Sequence, residues 1–152
     1  MPKLKDKVKP RTRVIGELID KSGKVVQRVE TRNLITDVGE NMLCYWTKGD
    51  ISTKGYVTHM SLSDETADPL ETDTTETGSN QGPRVAVTTS ISASKITVTG
   101  EWSTEQANYT IRRAYLFSAA SGGNLFATTK FTTPFTKTSD YSFKATWEIT
   151  YA

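Results

Sequence analysis

The clearest period in this chain is two. From Tyr141 to Tyr151 every odd position (Tyr141, Phe143, Ala145, Trp147, Ile149, Tyr151) is apolar, and every even one (Ser142, Lys144, Thr146, Glu148, Thr150) is polar. Successive strand side chains point to opposite faces, so this segment predicts a strand with one aromatic face and one wet face. A face that wide leaves water only against a second layer. The same reading places strands at 13–20 and 24–32, joined by turn residues Lys21-Ser22-Gly23 after Asp20. Val14, Leu18, Val25 and Val29 are their expected inward residues. A third strand is predicted from Tyr56 to Ser63, with Tyr56, Met60 and Leu62 on one face and His59 on the other. Others follow at Arg84 to Ile91, Lys95 to Trp102, Tyr109 to Ser118 and Asn124 to Thr132, before Pro134 breaks the pattern.

Helical spacing occurs once. Val38, Met42, Tyr45 and Trp46 recur on one face over residues 37–48, with Thr36 or Asp37 able to cap the start. Glu40, three residues after Asp37, suggests a capping box, and Gly49 after Lys48 suggests the stop. The fold expected is mainly β: an antiparallel β-sandwich of about eight strands, with one short helix across an end or edge. Abundant threonine, suited to pleated surfaces, agrees with this.

At 152 residues the chain is long enough for one domain with a real core. Its 36% hydrophobic and 24% charged content suits a soluble globular protein. No apolar run approaches the roughly 20 residues of a membrane span. The basic start has no hydrophobic segment after it, so a signal peptide is not expected. The single cysteine, Cys44, excludes an intramolecular disulfide, as a reducing cytoplasm would favour.

Charge divides the chain unevenly. Residues 1–13 hold Lys3, Lys5, Lys7, Lys9, Arg11 and Arg13 against Asp6 alone, leaving a net of −3 for the remainder. The expectation is a basic arm at 1–13 and a single sandwich domain at 14–152. An extended arm would line its four lysines along one side. Without interleaved aromatics it is a poor match for nucleic acid. Residues 64–82 form a loop with six acids (Asp64, Glu65, Asp68, Glu71, Asp73, Glu76) and no basic residue. Pro69 occupies the sixth position counted from Asp64, where an EF-hand needs glycine, so no calcium site is assigned. Arm and loop are instead a candidate interface between neighbouring subunits, which high salt would weaken.

Candidate chemistry adds little. Cys44 is expected to be a small buried hydrophobe, and a thiol dyad with the lone His59 has no local motif behind it. H-E-x-x-H, G-x-S-x-G and Walker-type loops are absent from the sequence, and Gly122-Gly123 sits in a hairpin turn. The acids cluster in a loop that lacks the aromatic platforms of a sugar-cleaving cleft. No catalytic residue, metal, cofactor or small-molecule substrate is assigned. The three tryptophans are expected in the core; two or more exposed aromatics among Tyr45, Trp46, Tyr56, Trp102 and Tyr109 in one groove would instead suggest glycan recognition.

Three blocks resemble a known group. Asn33-Leu34-Ile35-Thr36-Asp37-Val38-Gly39 resembles the "N-L-I-T-x-x-G" helix entry of small structural proteins of tailed bacteriophages. Tyr115 to Ala119, Gly122 to Ala127 and Phe131 resemble that group's "G-L-F-…-G-G-x-L-x-A-…-F" hairpin. Phe135 to Thr138 with Thr146 to Thr150 resembles its "K-x-x-x-…-x-W-x-I" closing strand. Tyr115 stands where the group has glycine, and Arg113 where an acid is common. The resemblance implies a non-enzymatic virion component made in the bacterial cytoplasm. Its partners would be capsid, neck or tail proteins and copies of itself, in capsid decoration or in the neck or tail. The alternative within the virion is a receptor- or glycan-binding module at a tail tip or fibre.

Overall fold

The computed structural model describes residues 10–151. In chain order its elements are β1 (Arg11–Asp20), β2 (Val25–Thr31), β3 (Asn33–Ile35), α1 (Asp37–Thr47), β4 (His59–Ser63), β5 (Val85–Ala86), β6 (Thr88–Ser92), β7 (Lys95–Trp102), β8 (Thr110–Phe117), β9 (Leu125–Thr136) and β10 (Tyr141–Thr150). They form two antiparallel sheets of five strands, ordered β2-β1-β10-β7-β6 and β3-β9-β8-β4-β5. The fold is a β-sandwich with one short helix.

The strand with the sharpest alternation lies at the centre of the first sheet. Phe143, Ala145, Trp147 and Ile149 of β10 are buried, and each row continues across its neighbours. Trp147 lies between Val14 and Val98, and Phe143 between Leu18 and Trp102. The second sheet answers with Met60, Leu62, Leu116, Phe126, Phe131 and Phe135. Phe131, Phe135 and Phe143 meet edge to face, with centroids 4.9–6.1 Å apart. Such pairs add to the burial of each ring, itself about 3 kcal/mol.

The described structure has ten strands, two more than the periodicity predicts. Residues 84–91 divide at Val87, because β5 pairs with β4 in one sheet and β6 with β7 in the other. Asn33 to Ile35 pairs with Ala127 to Thr129 before the helix starts. Pro134 does not end its strand. Between Arg113↔Lys130 and Ile111↔Phe135 the β9 strand takes five steps against two on β8, so Pro134 lies in a bulge that asks no ladder donor of it.

Smaller corrections have equally local causes. Val25 is exposed, because the register shift opposite Leu18 and Ile19 turns it to the outer side. Tyr56 precedes β4 and is exposed. The arm expected to reach residue 13 ends earlier, since Arg11 to Arg13 already pair with Glu148 to Thr150.

At the helix start Thr36 is the cap. Its Oγ1 accepts from Gly39 N at 2.9 Å and donates to Leu125 O at 2.6 Å. Gly39 therefore occupies the third helical position, and the Asp37–Glu40 capping box does not form. Met42 is buried, while Val38, Leu43 and Trp46 pack partly against the core. Cys44 is exposed, a correction: two residues beyond Met42 it has turned roughly 200° around the helix, away from the core. Gly49 ends the helix with φ +85°, a conformation glycine adopts without strain.

Candidate functional site

The acidic loop lies over the outer face of the second sheet. Arg113 Nη2 is 2.9 Å from Asp73 and 2.7 Å from Thr128 Oγ1. Arg84 holds Glu76 through Nε (3.1 Å) and Nη2 (2.8 Å), and donates from Nη1 to the carbonyls of Ala119 and Gly122. Its guanidinium also sits 3.5 Å from the centroid of Phe117. Lys130 reaches Asp68 at 3.0 Å, and Asp64 takes hydrogen bonds from Asn80. The Glu71 carbonyl accepts from Asp37 N at the head of α1. Beneath this cover Tyr115, Phe117 and Leu125 form a second apolar cluster.

Electrostatics follow from the burial. Burial works against charge on Glu76, but hydrogen bonds and charge from Arg84 prevail and hold its carboxyl below the usual range. Asp64 is likewise lowered, burial being outweighed by bonds from Asn80. Burial, with the Asp64 charge behind it, pushes the Tyr109 phenol up. That hydroxyl lies within hydrogen-bond distance of the carbonyls of Gly82 (2.6 Å) and Leu62 (3.0 Å), its one proton pointing to the nearer, while Trp102 Nε1 donates to Pro83 O at 2.9 Å. Both residues thus anchor the far end of the loop.

Of the basic residues expected to face this loop, Lys3, Lys5, Lys7 and Lys9 lie outside the described residues. Arg11 sits in β1 opposite Thr150, and Arg13 pairs with Glu30 and, at 3.6 Å, with Glu148. Asp64, Asp68, Asp73 and Glu76 are engaged within the chain, as is Glu65 through Ala67 N; the Asp68 side chain nevertheless stays 85% exposed. Glu71 is exposed. Among the described residues no three His, Cys, Asp or Glu side chains gather as a metal-holding group.

A second region, at the other end of α1, is apolar. The end of α1, the segment after it, the β6–β7 hairpin and the end of β10 enclose a groove of about 660 Å³. Leu116 and Phe126 contribute to its lining. Ile51, Tyr56, Ile91 and Tyr151 stand around it, four of the seven large exposed apolar residues described, so the patch is concentrated and not scattered. Ile91 pairs with Ile96 and Thr89 with Val98, which turns both to the inner side of the sheet. Ile91 nevertheless remains 77% exposed: β6 overhangs the core. Trp46 forms part of the wall, its indole N–H donating to Gly55 O at 2.7 Å.

Neither the clamping of the acidic loop onto the sheet nor the apolar groove was expected from the sequence, although each left a trace. The runs Tyr115-Leu116-Phe117 and Leu125-Phe126-Ala127 do not alternate, as suits strands covered on both faces. Ile51 and Ile91 are lone apolar residues among Ser and Thr. Comparison with protein-family models, curated proteins and solved structures found no match for this chain. No described helix is long and apolar enough to cross a membrane.

Proposed function

We propose that this chain is a non-enzymatic structural protein of a virus particle, of the tailed-bacteriophage class that its motifs resemble. It is held in place by protein contacts at the open end of the sandwich. One observation carries the reading: an apolar groove ringed by Ile51, Tyr56, Ile91 and Tyr151, a concentration of exposed apolar surface that suits protein association. The resembling blocks support it. Two of them reach the groove: the β8–β9 hairpin contributes Leu116 and Phe126 to its lining, and the closing strand contributes Ile149. Partners are other virion proteins of capsid, neck or tail, and copies of itself.

A tail-tip glycan module is the second reading, favoured by Trp46 and Tyr56 sharing one groove. Against it, Trp102 is buried and the Trp46 indole is already bonded to Gly55, leaving few polar groups for sugar hydroxyls. Quantitative mass spectrometry of purified particles, with antibody labelling for position, tests the proposal. Many copies over the head are expected for a decoration protein, and a small symmetric number at a vertex or along the tail for a neck or tail part. Absence from the particle overturns it. Glycan binding that is lost in Tyr56→Ala would favour the second reading.

A further inference from the structure

A sheet edge with unpaired main-chain groups invites another strand unless something protects it. Four edges occur among the described strands: β2, β6, β3 and β5. Three carry protection. The β2 edge has a bulge, charged Arg28 and Glu30, and a tie to the second sheet through Gln27 Nε2, which donates to Pro134 O. The β3 strand has three residues, and β5 has two, next to Pro83 and Arg84. The β6 edge has none of these devices. Thr88-Thr89-Ser90-Ile91-Ser92 is uncharged, free of proline, exposed at all five positions and in unbroken register with β7.

We propose that the partner at this edge is a second copy of the chain, with two β6 strands pairing antiparallel about a two-fold axis through Ser90. This rests on the reading of the chain as an assembling protein and names its first partner. The edge is complementary to itself in that register. Thr88 would oppose Ser92, Thr89 would oppose Ile91, and Ser90 would oppose its own copy, so no like charges meet and hydroxyl residues face one another. Every pair also keeps its side of the sheet. The inner-side residues Thr89 and Ile91 meet their counterparts, and each Ile91 leaves water over the partner's groove rim. The two five-stranded sheets become one of ten, and the two grooves join across the axis. A heterologous strand offering lysines at alternate positions has no described acid on β6 to answer it.

The test measures self-association of the full chain by sedimentation velocity over a concentration series. A reversible dimer is expected, with Ile91→Lys weakening it at least tenfold. Ile91 is exposed, so that variant should keep its fold, and circular dichroism checks this. In a Cys44→Ser background, Ser90→Cys should form a disulfide-linked dimer, whereas Val26→Cys on the far edge should not. A wild-type monomer throughout the series, or a dimer indifferent to Ile91→Lys, overturns the inference. So does a dimer that is lost on removing residues 1–9 and never gives the Ser90 cross-link, which would assign the groove to the arm. The readout does not depend on particle incorporation: a monomer still found in particles overturns this pairing alone, and a cross-linked dimer absent from particles overturns the virion reading alone.

Discussion

Arg113, with its side chain only 2% exposed, places Nη2 2.9 Å from the carboxylate of Asp73, a residue 40 positions earlier in the chain. The pair fastens the acidic loop to the outer face of the second sheet. Removing one partner of a buried pair costs more than the pair contributes, because the remaining charge stays buried. Asp73→Asn is expected to destabilise the fold by roughly 3 kcal/mol, a fall in Tm of roughly 6 °C or more. Adding Arg113→Met should restore part of the loss, since an apolar side chain leaves no unpaired charge. An unchanged Tm in the single variant would mean that the loop is not clamped this way.

Gly39 gives a prediction whose sign runs against helix propensity. In an exposed helix interior Gly→Ala stabilises by about 1 kcal/mol. Here a Cβ would collide with the carbonyl oxygen of Phe126, a backbone atom that cannot swing aside. Gly39→Ala should therefore destabilise by about 1–3 kcal/mol in urea unfolding, with α1 pushed off β9. Greater stability in the variant would contradict the close packing of helix on strand.

Glu76 sets a pH dependence. Its folded carboxyl lies below the ordinary value of 4.5, so the folded state binds that proton more weakly than the unfolded chain. The resulting stability is fully present above that value and is lost as pH falls through the depressed folded value. Glu76→Gln should accordingly be less stable than the parent at neutral pH, with the difference closing in acid. Thermal scans from neutral pH to below pH 4 measure this, and a gap that stays constant would remove Glu76 from the account.

The arm boundary can be tested by truncation. Removing residues 1–13 deletes the pairs of Arg11, Thr12 and Arg13 with the central strand, and the Thr12 hydroxyl that accepts from Asn33 N. A loss of roughly 1–3 kcal/mol is expected. Stopping the deletion at residue 9 leaves those contacts intact, and it should keep a higher Tm than the longer deletion. Equal Tm values for the two truncations would place the boundary back at residue 13.

Period-two alternation was enough to identify β10, β7 and the first hairpin, because each has one wet face and one apolar face. Nearest-neighbour chemistry likewise marked the Thr36–Asp37 helix start and the Gly49 stop. What depends on distant residues was not legible. Val25 faces outward because of a bulge set by its pairing with β1, and Pro134 stays in a strand because β8 and β9 are out of step there. The six acids read as a partner for the basic arm, since residues 64–82 hold no basic residue; Arg84, Arg113 and Lys130 reach Glu76, Asp73 and Asp68 only once the sheets have formed. Ile91 alternates correctly toward the inner side, yet the second sheet stops short of it. A strand's own residues determine which side each faces, whereas the packing of the whole sandwich decides whether that side is covered.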